Sequence, residues 1–172
     1  MTVLAADTAA GAPMVPAKTS FAHAGLLLSL LVPDDWDVEQ LGPNQIRFYA
    51  RPVAELDDYR PTMGFVAGEP DGTGPSWFED FVASSRTRLA EAAGFELLGT
   101  RRWTNSSLAE VAVTTYASTP RPGLAFTQLQ ALIAADADRL YVVNAATRRE
   151  RAAQDLPVFE DVLQDLRVLP PR

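Results

Sequence analysis

Two adjacent pairs of aspartates are the first residues in this sequence whose types and spacing could do chemistry. Asp34 lies beside Asp35, and Asp57 lies beside Asp58. Carboxylates that share a site can act as general acid and general base. Adjacent residues of a strand or turn point in different directions, however, and aspartate is a common turn former. We therefore interpret both pairs as turn or surface residues.

Few other residues could support acid–base or metal chemistry. His23 is the sole histidine, and no motif supplies the acid and the nucleophile that a general base needs. We expect His23 to be a partly exposed residue at a sheet edge. Asp136 and Asp138 fall on a predicted hairpin turn and could hold a cation there, although the longer ligand series of a calcium loop is missing.

Residues 68–74 form a glycine-rich segment just before a predicted helix. A phosphate-binding loop would end in Gly-Lys-Ser or Gly-Lys-Thr, whereas this segment runs into Gly-Pro-Ser. A dinucleotide site would need a strand–helix–strand unit, which the predicted elements do not supply. Two acidic residues in the segment would also repel a phosphate. We interpret it as a surface loop and predict no cofactor.

The composition argues against several classes of activity. The absence of cysteine excludes thiol catalysis, iron–sulfur clusters, cysteine zinc sites and disulfides. Lys18 is the single lysine and lies in a predicted tail, so Schiff-base chemistry has no positioned amine. A net charge of -7 argues against nucleic acid and anionic membrane surfaces as partners.

The first 20 residues are rich in alanine, proline and threonine. They lack the basic start of a signal peptide, and Asp7 interrupts their apolar stretch. The apolar run at residues 26–32 is far too short to span a bilayer. We predict a flexible tail over residues 1–20, a single domain over residues 21–170, a cytoplasmic location and no membrane insertion.

Hydrophobic patterning predicts an α+β domain with a largely antiparallel sheet flanked by helices. The last four predicted strands have short links and indicate a meander. One helix should begin at Ser76 with a capping box to Glu79 and end at Gly94. A closing helix is predicted over residues 150–167, where Pro157 interrupts it, so that its stronger part covers residues 157–166 with the proline in the first turn. Strands are predicted over residues 21–32 (with a break at Gly25 as an alternative), 37–41, 45–51, 62–67, 95–103, 108–118, 124–134 and 139–146.

Arginine and tyrosine residues on predicted strands are the candidate partner-binding residues. Period-two alternation places Arg47, Tyr49 and Arg51 on one face of their strand. With Arg101 and Arg102 they could form a single basic sheet face that docks an acidic or amphipathic segment. The alternative is an ordinary solvated face. The many aromatic residues could likewise line a ligand pocket, but such residues more often build a core.

Three local patterns resemble the Mog1/PsbP-like superfamily, including its DUF1795 and DcrB-like, LpqN-like and Eag chaperone-like bacterial members. The first is an apolar strand that ends in Val32-Pro33-Asp34-Asp35-Trp36, similar to the P-x-x-W entry of the family. The second is the helix from Ser76 followed by Phe95, Leu97, Leu98 and Gly99. The third is the ending at residues 159–167, which has Asp165 where serine is common.

The resemblance implies a helix-flanked antiparallel sheet that acts by binding other proteins, with no catalytic residues to carry over. The chain departs from the lipoprotein branch because it lacks a signal and a cysteine. Eag chaperones, which cradle apolar helices of secretion effectors, are then the closer functional analogy. No binding position of theirs can be matched residue by residue.

Three hypotheses follow for the function. The leading one is a non-enzymatic protein-binding module, an adaptor or chaperone in a secretion or assembly pathway, acting as a monomer or homodimer on an apolar or amphipathic helix of a client. The second is a carrier or enzyme with an enclosed apolar pocket, whose polar groups would come from Tyr49, Tyr116, Tyr141 or Asn144. The third is a structural subunit of a larger complex.

Overall fold

A computed structural model describes residues 17–70, 74–136 and 139–170 of the chain. Two short 3-10 turns, Ala54–Leu56 and Arg149–Arg151, accompany the regular elements. The helices are α1 (Trp77–Leu89) and α2 (Ala152–Asp165). The strands are β1 (Lys18–His23), β2 (Leu28–Pro33), β3 (Asp37–Gly42), β4 (Gln45–Tyr49), β5 (Thr62–Gly68), β6 (Glu96–Thr104), β7 (Glu110–Arg121), β8 (Leu124–Asp136), β9 (Arg139–Arg148) and β10 (Arg167–Val168).

Within the described residues, most strands form one seven-stranded sheet in the order β3-β4-β5-β9-β8-β7-β6. Every neighbouring pair in this large sheet is antiparallel. The predicted meander is confirmed, since β6 to β9 follow one another in space as they do in sequence. In the middle of the sheet β5 pairs with β9, and this pairing joins strands β3 to β5 to the meander.

The first apolar segment folds as a hairpin, which confirms the alternative of a break at Gly25 and not the single strand. β1 and β2 pair with each other, and β10 adds to β2, to make a small three-stranded sheet among the described residues. The chain turns at Gly25, where an added Cβ would lie 2.1 Å from the Pro43 carbonyl oxygen. The predicted tail boundary is also corrected. Lys18 begins β1 and its amine pairs with Asp165 at 2.7 Å, while residues 1–16 lie outside the described residues.

One face of the large sheet, which we call the inner face, carries the main hydrophobic core. The buried side of β2 and the apolar stripe of α2 pack on it, as the period-two and helical spacing of their residues requires. Fully buried members include Phe48, Phe65 and Phe159. Most of the phenylalanines therefore fill the core, as the alternative interpretation of the aromatic residues predicts.

The outer face of the large sheet is covered in part by α1. Phe78 and Val82 of α1 pack on Ala112, Leu132 and Leu140 from β7, β8 and β9. The predicted capping box is wrong, because Ser76 Oγ bonds Asp80 Oδ2 at 3.0 Å and Glu79 pairs with Arg102 of β6. The Glu79 side chain binds Arg102 on the neighbouring strand β6 instead of the backbone at the start of its own helix.

The predicted closing helix is present as α2, which begins at Ala152 and ends at Asp165. Pro157 lies inside this helix, so the predicted interruption there and the placement of the proline in the first turn are wrong. The start of α2 is stabilised by Asp155, which accepts hydrogen bonds from Thr147 of β9 and from Arg151. Gly94 has φ +66° and follows α1 by a short turn, in the left-handed conformation that glycine favours.

The α+β class with helices on both faces of an antiparallel sheet is confirmed. Neither described helix is long and apolar enough to cross a bilayer.

Candidate functional site

The uncovered part of the outer face is the candidate site, and we call it the open face. It lies beside α1 and is formed by β4, β5, β9 and the part of β8 that adjoins β9. Asn144 is exposed there and Val66 is 37% exposed, so solvent reaches the middle of the sheet. A concavity of about 170 Å³ occupies this face, lined by Gln45, Arg47, Thr62, Gly64, Val66, Gln128, Asn144, Ala145 and Ala146.

Gly64 forms the floor of this concavity, which we call the Gly64 groove. The strand register aligns Arg47, Gly64 and Asn144 in one row across β4, β5 and β9. An added Cβ at Gly64 would meet nothing nearer than the Ile46 carbonyl oxygen at 3.7 Å. It would lie 3.9 Å from Arg47 Nε, so the arginine side chain extends over the glycine. The missing side chain therefore creates the groove without any backbone crowding.

A chain of hydrogen bonds joins the groove to α1. Ser85 Oγ of α1 donates to Gln130 Oε1 at 2.5 Å, and Gln130 Nε2 donates to Asn144 Oδ1 at 3.2 Å. The oxygen of Asn144 is thereby engaged, while its amide hydrogens remain available on the groove side. At the next row, Tyr116 donates to Gln128, which donates to Ser118. These bonds hold the amide side chains in place at the edge of the helix.

Two of the predicted partner-binding residues lie on the open face. Arg47 Nη1 donates to Tyr49 Oη at 3.4 Å, and Tyr49 donates to Glu39 Oε2 at 2.5 Å. Arg60 stacks over the Tyr49 ring, with its guanidinium carbon 5.3 Å from the ring centroid, and pairs with Asp37. Arg47 and Tyr49 therefore lie on the same face of β4, as period-two alternation predicts, and Arg47 lines the groove.

The single basic face predicted from the sequence is wrong for Arg51, Arg101 and Arg102. Arg101 lies on the inner face and pairs with Glu160 of α2. Arg102 lies on the outer face, where it pairs with Glu79. Their strand is five spacings from β4, about 24 Å away. Arg51 follows β4 and pairs with Asp35 at 3.2 Å, towards α2.

His23 and the aspartate pairs have structural roles. His23 lies on β1, an edge strand of the small sheet in the described part of the chain, but it is 8% exposed, so the predicted partial exposure is wrong. Its Nδ1 accepts the Leu26 amide at 3.0 Å and stabilises the hairpin turn. Asp57 and Asp58 both adopt positive φ values in an exposed turn. Asp136 pairs with Arg139, whereas Asp138 and residues 71–73 of the glycine-rich segment lie outside the described residues.

Among residues 17–70, 74–136 and 139–170, no group of three or more acidic or histidine side chains could hold a metal ion. The groups proposed to converge in an enclosed pocket are separated by the sheet. Tyr141 is buried on the inner face, where its hydroxyl bonds the Leu26 carbonyl, whereas Tyr49, Tyr116 and Asn144 lie on the outer face.

A second concavity of about 190 Å³ lies at the start of α2. Trp36 forms one wall and packs edge-on against Phe159, with ring centroids 6.0 Å apart. Asp155 and Arg151 lie at its base. Nearby, burial and the charge of Asp155 raise the pKa of Tyr59 to about 12, and its hydroxyl donates to the Ala146 carbonyl at 3.1 Å. We call this concavity the Trp36 cleft.

Sequence reasoning missed Gly64, Thr62 and Gln128 as site residues. Two signals were present. A glycine inside an otherwise regular strand marks a place where something approaches the backbone closely. The alternation of Gln128 and Gln130 with buried residues of β8 indicates a polar outer face. Strand order was needed to bring these residues together with Arg47.

No protein-family model matches the sequence, and no curated protein matches it either. Solved structures match the fold throughout its length. LpqN of Mycobacterium tuberculosis, described as involved in cell envelope biogenesis, superposes with a TM-score of 0.68 at 16% identity, covering 89% of this chain and 91% of LpqN.

Two further solved structures have the same architecture. Cyanobacterial PsbP from Synechocystis gives a TM-score of 0.57 at 13% identity, over 96% of this chain and 98% of its own. The Ran-binding protein Mog1p of Saccharomyces cerevisiae gives 0.57 at 12% identity, over 88% of this chain and 95% of Mog1p. The chain therefore has the Mog1/PsbP-like fold.

Proposed function

We propose that this chain is a non-enzymatic protein-binding module, an adaptor or chaperone in a secretion or assembly pathway, and that its partner docks on the open face. The observation that carries the proposal is the Gly64 groove. It is a concave stretch of sheet with solvent-accessible polar side chains, beside a helix that covers only part of the same face. We place the protein in the cytoplasm, as the sequence predicts.

Two further observations support a binding role. The shared fold includes Mog1p, which is itself a Ran-binding protein, so this scaffold can present a protein-binding surface. Two acid–base candidates of the sequence are engaged structurally, since His23 accepts a hydrogen bond in the hairpin turn and Asp35 pairs with Arg51. Fold alone does not determine a reaction, and the groove offers a partner a solvent-accessible part of the sheet.

Site-specific photocrosslinking in the native host tests the proposal. A photoreactive residue at Val66 on the open face should form an adduct with one protein, which mass spectrometry identifies. The matched control is Ser84, an exposed position on α1 away from the groove. The purified partner should then bind the chain and lose affinity on Gly64→Val. Equal adducts at both positions, or no protein adduct at Val66, would contradict the proposal.

The Trp36 cleft favours a second candidate function, the binding of a small apolar ligand. Its walls combine Trp36 and Phe159 with two prolines, Pro33 and Pro61. A ligand there should quench or shift the fluorescence of Trp36, and Trp36→Phe should abolish the signal. A ligand screen with no change that depends on Trp36 would remove this candidate.

A further inference from the structure

The Gly64 groove contains a cation without a carboxylate partner. Among the described residues no acidic oxygen lies within 4.0 Å of the Arg47 guanidinium, and its hydrogen bond goes to Tyr49 at 3.4 Å. The neighbouring Arg60 differs, because it pairs with Asp37 and also donates to the Ala50 and Tyr49 carbonyls. Most N–H groups of Arg47 are thus free to bind something that enters the groove.

The opposite wall of the groove also presents donors. Asn144 uses its oxygen to accept from Gln130, so its Nδ2 hydrogens are the groups left for a ligand. Thr62 adds a hydroxyl one row away on β5. Arg47 and Asn144 stand on either side of Gly64, which has no side chain to separate them. A group held between them would meet hydrogen-bond donors from both strands.

The row that contains Arg47, Gly64 and Asn144 also contains one acidic residue, Glu39, which lies on the edge strand β3 next to Arg47. Its carboxylate is held by the Tyr49 hydroxyl at 2.5 Å and forms no ion pair with Arg47 among the described residues. The Tyr49 hydroxyl accepts from Arg47 and donates to Glu39, so it bridges the two charged groups. Arg47 has no direct carboxylate contact among the described residues, and its remaining N–H groups can donate to a ligand although the chain has a net charge of -7.

We propose that the Gly64 groove binds the carboxylate of an aspartate or glutamate side chain from the protein partner. Arg47 donates two parallel N–H bonds to the carboxylate oxygens, the geometry in which arginine binds carboxylates most strongly. Asn144 Nδ2 donates to one of the same oxygens from the other side of Gly64. The volume of about 170 Å³ accommodates one such side chain and little more. This inference rests on the proposed function and specifies what the open face recognises.

Selection from a phage-displayed library of random short peptides on the full chain tests this inference. The same library is counter-selected on Gly64→Val, whose side chain fills the groove, and on Thr100→Val, an exposed outer-face control on the far strand β6. We expect peptides that share one acidic position and that bind wild type and Thr100→Val but not Gly64→Val. Melting temperatures of both variants confirm that they are folded.

Synthetic peptides from the selection give the quantitative test. Replacing the shared acid by its amide should weaken binding at least about ten-fold, as expected for loss of a charged hydrogen-bond pair. Arg47→Gln should weaken the acidic peptide to the same extent and the amide peptide little. If binding is lost in Gly64→Val but the acid and amide peptides bind equally, the carboxylate inference fails while open-face binding stands. If the selection yields no peptide whose binding is lost in Gly64→Val, both the carboxylate inference and the proposal of open-face binding are wrong.

Discussion

The hydroxyl of Tyr141 donates a hydrogen bond to the carbonyl oxygen of Leu26 at 2.5 Å, in a part of the core where both residues are at most 1% exposed. Tyr141 belongs to β9, in the middle of the large sheet, and Leu26 belongs to the turn of the β1–β2 hairpin. Burial raises the pKa of Tyr141 above its ordinary value, so the hydroxyl remains a donor to higher pH than an exposed tyrosine would. The bond ties the small sheet to the large one.

Tyr141→Phe should lower the free energy of unfolding by about 1–3 kcal/mol, because it leaves the buried Leu26 carbonyl without its donor. Urea unfolding followed by circular dichroism measures the change. Tyr116→Phe is the matched control, since its hydroxyl bonds a side chain, Gln128, that can turn to water. A loss for Tyr141→Phe no larger than for Tyr116→Phe would show that this bond does not tie the two sheets.

Trp36→Ala should lower the free energy of unfolding by about 2 kcal/mol. The ring is half-buried, so the cost should fall below the roughly 3–5 kcal/mol of a fully buried tryptophan. Trp36→Phe should cost less, because a ring would still contact Phe159. Chemical denaturation of both variants checks the order. An unchanged midpoint for Trp36→Ala would show that the ring contributes nothing to the core.

Leu108→Gly should stabilise the protein by up to about 1 kcal/mol. Leu108 has φ +63° and is 87% exposed, so a bulky side chain occupies a left-handed conformation without burial to offset the strain. The turn is imposed by Asn105, whose Oδ1 accepts the amides of Ser107 and Ala109. A rise in the melting temperature of about 2–4 °C is expected.

Leu108→Ala is the control for this prediction, since alanine keeps the Cβ that clashes in the left-handed region. It should leave the melting temperature nearly unchanged. If alanine and glycine raised it equally, the gain would come from removing an exposed leucine and not from relieving the backbone.

Stability should fall between pH 10 and pH 12 in a way that depends on Tyr59. Burial and the negative charge of Asp155 raise its pKa from 10.0 to about 12 in the folded state. In this window the unfolded tyrosine ionises while the folded one does not, so ionisation favours unfolding as the pH rises. Tyr59→Phe should show a smaller decline over the same window. In an ultraviolet titration of tyrosinate, Tyr59→Phe should lack the step near pH 12 that the wild-type protein shows. A titration of the variant identical to that of wild type would refute the assignment of this pKa to Tyr59.

The sequence was sufficient for the strand meander, because short polar links leave successive strands few ways to pair other than antiparallel. It was also sufficient to place Arg47 and Tyr49 on one face. The same period-two rule puts Arg101 and Arg102 on opposite faces, so their shared charge is no reason to group them. The distance between β4 and β6 needed the strand order, which long-range pairing of β5 with β9 decides.

Two other outcomes depend on contacts distant in sequence. The break at Gly25 could be predicted only as an alternative, because the Pro43 carbonyl that leaves no room for a side chain there comes from another hairpin. Glu79 matches a capping box by spacing, but Arg102 lies across the face of the sheet and binds it. Neither contact can be read from the local sequence, because Pro43 and Arg102 are distant along the chain from the residues that they contact.

The pairing of β5 with β9 has a consequence for how the binding site comes into being. Contacts between segments far apart in the chain form late, since the intervening loop must be closed before they are gained. The Gly64 groove takes one wall from β4 and β5 and the other from β8 and β9. It is therefore complete only when the two halves of the chain have docked. An occupant that bridges both walls would hold the halves together, so we expect a bound partner to slow amide hydrogen exchange most along β5.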